Sequence, residues 1–418
     1  MNMHLTNNST LTLRTICVFV LIYILHLFAI SHADAVETAP TTTLKNDFRV
    51  LCYHDVRDNL RQSFEKSPES TAISTRDLVE QFDWLRRNGY SVISLEQVMQ
   101  ARNGGKVLPD KAVLLTFDDG YRSTYTHVFP LLKTYGYPAL VGLVQQFLEA
   151  DAKGNVLYDE KPTSRDSFLS WNEIREMAKS GLVEFASHTA FSHKGVLANP
   201  QGNKQPALVT HIYDPNTNSY ESEAAYEQRL FGDFNSMANL MEQEIGMRPR
   251  AVIWPYGAFN DAAVKAAQRA GHSVAFDLTS EGQNAALSPM HLTRDLVTFT
   301  TNTRTLHLML DNKARAKRTS EIRKRVMHVD LDYIYDTDAA QQEKNLGALI
   351  ERVRSLGVSH VYLQAFADPE GKGTASALYF PNRHLPMRAD LYNRVAWQLR
   401  TRGGVKVYAW LPDRKSVV

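Results

Sequence analysis

The residues best suited to chemistry fall in three short clusters, each directly after a run of apolar residues. The first is Thr116-Phe117-Asp118-Asp119-Gly120, which follows Ala112–Leu115. Two adjacent carboxylates at a strand end cannot both point the same way. One can bind a cation while the other stays free as a general base. An Asp-Asp-Gly turn whose side chains only cap local backbone would carry the same letters. The second cluster is His188-Thr189-Ala190-Phe191-Ser192-His193. If the loop curls, its two imidazoles converge on one metal, and with a carboxylate they make a three-ligand site with open positions for water. Taken alone, the pair also reads as surface or capping histidines. The third is Trp254-Pro255-Tyr256-Gly257. Pro255 fixes the turn, Tyr256 can offer its backbone N–H to an oxyanion, and the rings of Trp254 and Tyr256 can wall a sugar face. An aromatic turn that only packs is the competing reading. His54 ends the run Val50–Tyr53 and is a substrate-site candidate or an ordinary strand-end histidine.

These clusters need a scaffold that brings strand ends together. Strands are expected at Val50–Tyr53, Tyr90–Ile93, Ala112–Phe117, Ala139–Val144, Val183–Ala186, Ala251–Trp254 and Ser273–Leu278. Between them lie helical patterns at Ser74–Asn88, Ser94–Arg102, Thr124–Tyr135, Ser170–Lys179 and Asp261–Ala270. Ser222–Ile245 is a strongly amphipathic helix with Tyr226, Leu230, Phe234, Met237, Met241 and Ile245 on one face. A polar stretch from about Gly195 to Tyr220 reads as a long loop. Strands alternating with helices imply parallel βα units, whose sites sit at the C-terminal strand ends. The fold expected is therefore α/β, a distorted (β/α) barrel.

The alternation restarts late in the chain. Strands are expected at Val326–Ile334, His360–Phe366 and Val405–Trp410, with helices at Ala339–Leu356 and Met387–Arg402. Asp330, Asp332 and Asp368 follow these strands and could belong to a sugar-binding cleft. A full barrel needs roughly 250 residues, so residues 326–418 are expected to be an incomplete second (β/α) barrel, the N-terminal fragment of a longer unit. The stretch 306–325, with Lys313, Arg315, Lys317, Arg318, Arg323, Lys324 and Arg325, reads as a basic linker.

At about 150 residues per domain, 418 residues leave room for two to three domains. Lys+Arg is 47 and Asp+Glu 45, a net charge of +2, which argues against affinity built on neutralising nucleic-acid phosphates. The two cysteines, Cys17 and Cys52, exclude a disulfide framework and a Cys-rich metal site. A metal here is left to His, Asp and Glu. Arg14, the apolar run Ile16–Ile30 and the triplets Ser31-His32-Ala33 and Ala33-Asp34-Ala35 have the order of a secretory signal peptide over residues 1–35, followed by a polar linker, 36–47. An uncleaved signal would be the one membrane attachment.

Taken in order, the three clusters resemble the polysaccharide deacetylase family, carbohydrate esterase family 4, also called the NodB-homology domain. The family's motifs look like Thr-Phe-Asp-Asp-Gly, His-(Ser/Thr)-x-x-His and a third ending in Pro-Tyr-Gly. Here the second is one residue longer. That variant, with Tyr53-His54-Asp55 and the long loop after His193, is similar to the periplasmic branch that deacetylates poly-β-1,6-N-acetyl-D-glucosamine in biofilm systems, which implies a periplasmic location. The resemblance covers about Phe48 to Thr300 and continues into a glycoside-hydrolase-like second barrel, which implies a deacetylase domain over 48–305. It implies one divalent metal ion (zinc, cobalt, nickel or iron(II)) on Asp119, His188 and His193, with Asp118 as general base and the Tyr256 N–H at the oxyanion. His54, Trp254, Pro255 and Tyr256 would line the substrate. An N-acetylglucosamine polymer and an outer-membrane export porin are the implied partners. Deacetylation of β-1,4-linked chitin-like or peptidoglycan glycans, or non-catalytic polysaccharide binding, are the alternatives. Two family features are out of place. Arg250 is the nearest arginine to the third motif, and neither His272 nor His291 fits the late histidine that serves as general acid.

Overall fold

The computed structural model describes residues 44–60, 71–150, 154–158, 161–200, 202–279, 283–311 and 324–411. The expected signal segment 1–35, most of the following linker and most of the basic linker lie outside the described residues, as do residues 412–418. Among the described residues, no helix is long and apolar enough to cross a membrane.

The barrel strands are β1 (Phe48–Tyr53), β2 (Ser91–Ile93), β3 (Ala112–Phe117), β4 (Ala139–Leu143), β5 (Val183–Ser187), β6 (Ala251–Ile253), β7 (Val274–Asp277), β8 (Leu292–Thr293) and β9 (Asp295–Leu296). All pair in parallel, in the order β8-β7-β6-β5-β4-β3-β1-β9, with β2 sharing an edge of β3 with β4. The two ends of this path are one stretch of chain. Leu292 and Thr293 pair with Phe276 and Asp277 of β7, whereas Asp295 and Leu296 pair with Leu51 and Cys52 of β1. Only Arg294 separates the two pairings, so the barrel closes through a five-residue segment that changes partner at its middle residue.

Side chains alternate in and out along each strand. Phe48, Val50, Leu114, Leu140, Ala251, Ile253, Val274, Phe276 and Leu292 fill the barrel interior as one cluster. Leu51, Tyr53, Val113, Leu115, Phe117, Val141 and Phe185 point outward to a second cluster shared with the helices. The helices are α1 (Thr75–Arg87), α2 (Leu95–Arg102), α3 (Phe129–Tyr135), α4 (Trp171–Lys179), α5 (Glu223–Ile245), α6 (Asp261–Arg269) and α7 (Thr303–Leu310); of these, α2 packs Leu95, Val98 and Ala101 on the interior cluster, and α6 packs Ala263, Ala266 and Ala267 on a further cluster with Val252 and Trp254. Ser74, Ser94 and Ser170, the first residues of three of the expected helical patterns, cap α1, α2 and α4, the last two with complete capping boxes. The predicted face of α5 is buried through Met241, and Ile245 is partly buried.

The differences are local. Residues 195–220 form short hairpins rather than one loop, because Gly195–Leu197 pairs with Lys204–Pro206 and Tyr213–Asp214 with Ser219–Tyr220. The expected helix at Thr124–Tyr135 opens with a π-wound turn, Thr124–Val128. Helix α7 crosses the expected 305 boundary, because Leu306 and Leu310 bury against the α1 side of the barrel; each such side chain is worth roughly 1.5–3 kcal/mol.

The second unit has three parallel strands, β10 (Val326–Val329), β11 (His360–Gln364) and β12 (Lys406–Trp410), with β11 central. Helices α8 (Ala339–Ser355) and α9 (Tyr392–Thr401) cover one face, packing Leu346, Ile350, Val353, Val395 and Leu399 on Val361 and Leu363. β10 ends at Val329 rather than Ile334, because Asp330 accepts from the Asp332 N–H and starts a 3-10 turn. α9 starts at Tyr392 rather than Met387, because the Leu378 and Arg388 backbone is committed to pairing, with Arg388 N donating to Leu378 O.

Candidate active site

The C-terminal ends of β1, β3, β5 and β6 deliver the three clusters and His54 to one mouth, above the apolar plug of the barrel. Asp118 and Asp119 follow β3, His188 follows β5, and Tyr256 sits in the turn after β6. Three non-glycine residues at this mouth adopt left-handed backbone: Asp119 (φ 70°), Thr189 (φ 76°) and Tyr256 (φ 59°). Such conformations cost of order 1–3 kcal/mol each and persist where the surroundings over-determine them. Gly257 must be glycine. Its φ is +66°, and an added Cβ would stand 2.9 Å from the Leu278 Cβ.

Asp119, His188 and His193 are all buried, and their ligand atoms lie within 4.8 Å of one another. Asp119 Oδ1 is 3.3 Å from His188 Nε2 and 3.0 Å from His193 Nε2. Ligand atoms each 2.0–2.1 Å from a common tetrahedral ion stand roughly 3.3 Å apart, so the spacing suits one divalent cation. Two further observations support the fit. Asp119 Oδ1 accepts no hydrogen bond from the described residues, although it is buried. His188 Nδ1 lies 2.7 Å from the Ile253 carbonyl oxygen, so it carries the proton and leaves the Nε2 lone pair facing the carboxylate. Gly142 makes room chiefly for Ile253, whose Cδ1 would stand 3.0 Å from an added Cβ, with His188 Cβ in ordinary contact at 3.4 Å.

The curl of the His188–His193 loop has a cause in α5. Asp233 accepts from Ala190 N (2.8 Å), Phe191 N (2.9 Å) and Ser192 Oγ (2.8 Å). Burial raises the Asp233 carboxyl above its ordinary range, against the pull of these three bonds. Tyr158, on a hairpin that pairs Asn155–Tyr158 with Lys161–Ser164, donates its hydroxyl to Asp119 Oδ2 at 2.8 Å and stacks on the His193 ring.

Asp118 is held apart from this triad. Arg294, 1% exposed, donates to Asp118 Oδ1 at 2.7 Å and to Thr116 Oγ1 at 3.0 Å. Cys52 donates its Sγ–H to Asp118 Oδ2 at 3.4 Å. Burial alone would raise the Asp118 carboxyl, but Arg294 foremost, then His188 and His54, brings it below its ordinary value. Burial also pushes the Cys52 thiol well up, so it remains a donor. His54, after β1, places Nε2 4.0 Å from Asp119 Oδ2.

The structure therefore gathers Asp118, Asp119, His188, His193, His54 and Tyr256, and it corrects the expected sugar wall. Trp254 is 0% exposed. Ala251 and Ile253 point into the barrel, so Val252 and Trp254 point outward, and Trp254 packs against Phe234 and Phe259 under α5 and α6. Pro255 is likewise buried and shapes the turn from beneath. Arg250 lies at the opposite end of β6, paired with Glu184 at 2.8 Å and with Glu96. His272 sits there too, its Nδ1 on the Pro249 carbonyl oxygen, and His291 packs edge-on against Phe259. The functional neighbours not anticipated are Arg294, Asp233 and Tyr158.

A family model described as polysaccharide deacetylase matches residues 105–275, and one described as hypothetical glycosyl hydrolase family 13 matches residues 328–413. The chain is 40% identical over 367 residues to the poly-beta-1,6-N-acetyl-D-glucosamine N-deacetylase of Escherichia coli K12, an alignment covering 88% of this chain and 53% of that protein. It thus spans about half the length of the curated relatives it matches. Among solved structures, it is similar to a de-N-acetylase from Aggregatibacter actinomycetemcomitans, with 39% identity, a TM-score of 0.59 and coverage of 63% of this chain and 99% of that one. The deacetylase domain of BpsB from Bordetella bronchiseptica shares 43% identity, with a TM-score of 0.55 and coverage of 60% and 96%.

Proposed function

This chain belongs to the polysaccharide deacetylase family, and from that premise we propose that it is a metal-dependent N-deacetylase of poly-β-1,6-N-acetyl-D-glucosamine. The observation that carries the reading is the convergence of Asp119 Oδ1 with two imidazole Nε2 atoms, beside a second carboxylate, Asp118, that Arg294 keeps out of the triad. The substrate is the one for which the Escherichia coli relative is named.

Asp119, His188 and His193 would hold the ion, which when bound supplies Lewis-acid polarisation of the acetamide carbonyl and lowers the pKa of water. Asp118, kept ionised by Arg294, takes the proton of the attacking water as its oxygen adds to the acetyl carbon. The backbone N–H of Tyr256 donates to the oxyanion that develops. His54, the imidazole left beside the triad, gives a proton to the departing nitrogen as the C–N bond breaks. The net change is amide plus water to acetate plus an ammonium-bearing sugar. Arg294 and Cys52 orient Asp118, and Asp233 orients the loop between the two ligand histidines. The signal-peptide order of residues 1–35 supports a periplasmic location, and the cationic product suits export through an outer-membrane porin.

The experiment is acetate release from β-1,6-linked N-acetylglucosamine oligomers, with the protein stripped of metal by a chelator and then reloaded with zinc, cobalt, nickel or iron(II). Release should vanish on stripping and return on reloading. Faster release from β-1,4-linked oligomers would replace the substrate, and binding of polymer without release at saturating metal would replace catalysis by carriage.

A further inference from the structure

One side chain at the edge of this mouth comes from the second unit. The Trp397 ring of α9 lies 6.1 Å from the Tyr256 ring, at 76° to it. Tyr256 lies 4.9 Å from the His193 ring, and His193 stacks on Tyr158 at 6.0 Å. The four rings form a continuous wall from the Asp119 carboxylate outward, and its last member belongs to a different sheet. Within α9, Val395 and Leu399 face the unit's own core. Trp397, two positions from each, lies on the other side of the helix and is partly exposed, as is Tyr256.

The placement is built in. The Gly195–Leu197 hairpin begins two residues after His193 and reaches the second unit. There Asn199 Nδ2 donates to Asp390 Oδ2 at 2.8 Å, and Asn203 Nδ2 donates to the Asp390 carbonyl oxygen at 2.5 Å. Asn203 and Asp390 are 3% and 5% exposed. Asp390 immediately precedes the α9 cap, Leu391. The same loop thus carries a ligand histidine at one end and fixes the start of the Trp397 helix at the other.

We propose that Trp397 forms an outer sugar subsite of the deacetylase mouth. It takes the C–H face of the glucosamine unit next to the one whose acetamide enters the triad, so the second unit sets the preference for polymer over short sugars. A neutral pyranose offers an apolar face without charge, and a tryptophan ring is the largest flat apolar surface available to meet it. The two rings set nearly at right angles give such a sugar a corner. This inference rests on the deacetylase reading above.

The test compares kcat and KM for the β-1,6-linked pentamer of N-acetylglucosamine and for the single sugar, which has no neighbouring unit to reach Trp397, in the full chain, zinc-loaded, and in Trp397→Gln and Trp397→Phe. Trp397→Gln should raise KM for the pentamer ~10-fold while kcat holds within ~2-fold, so the preference for pentamer over the single sugar collapses; Trp397→Phe should restore most of it. Equal losses on both substrates, or no change on the pentamer, would overturn the subsite while leaving the deacetylase intact. A wild-type chain inert on both sugars would overturn the deacetylase reading itself. Thermal unfolding of each variant shows whether a loss common to both substrates comes from the fold.

Discussion

The chain gathers carboxylates at the C-terminal ends of parallel strands twice, to opposite effect. In the barrel, Asp119 leaves one oxygen without a hydrogen bond from the described residues, and both neighbouring imidazoles turn Nε2 toward it. In the second unit, Asp332 spends both oxygens on its surroundings. Oδ1 accepts from Tyr379 (2.6 Å) and Arg388 (2.5 Å), and Oδ2 from the Asp368 N–H (2.7 Å). Asp368 in turn accepts from Lys372 N and Gly373 N. Acidic residues after a strand are therefore not a site by themselves. What marks the Asp119 oxygen is that it is buried without a donor and faces two imidazole nitrogens whose lone pairs also lack one, an arrangement a cation satisfies.

That contrast can be broken by exchange of function. The largest effect is expected for Asp118→Asn, which should lower kcat for acetate release by roughly 10²–10⁴-fold with the metal still bound. Activity near wild type would remove Asp118 as the base. Next comes Asp233→Ala, which frees the loop between the ligand histidines and should weaken metal affinity about 10–100-fold, the range for lost partners behind a ligand, read by competition with a chromogenic chelator. Unchanged affinity would mean the loop holds its own shape. The smallest effect on catalysis belongs to Asp332→Asn. It should leave acetate release within about twofold and cost ~1–3 kcal/mol in denaturant unfolding through the donors it strands. A collapse of acetate release would give the second cluster a role in the reaction.

The parts legible from the letters were those carried by local pattern. Asp118, Asp119, His188 and His193 stand directly after apolar strands, and the serine caps mark helix starts. Arg294 was not legible, because two strands of two residues give no periodicity and its partner lies far back in the chain. Asp233 hid among the apolar positions of an amphipathic helix, where a buried acid looks like a break in the pattern. Trp254 ends the expected strand Ala251–Trp254, and its place beside the mouth in sequence does not give the side its ring faces. Counting inward and outward positions from Ala251 would have sent the ring to the helix side.

The partner change at Arg294 also has a kinetic meaning. β1 can pair with β3 early, but its other edge must wait for Asp295 and Leu296, the last strand of the barrel to be synthesised. Contacts so distant in sequence form late, because the loop they close is long. The arginine bonded to Asp118 arrives with that closing segment, so a barrel still open at its seam holds the proposed metal ligands without the proposed base set in place. Maturation of the catalytic centre and completion of the fold are then one event, and slow closure would register as a lag in activity behind the gain of helical structure.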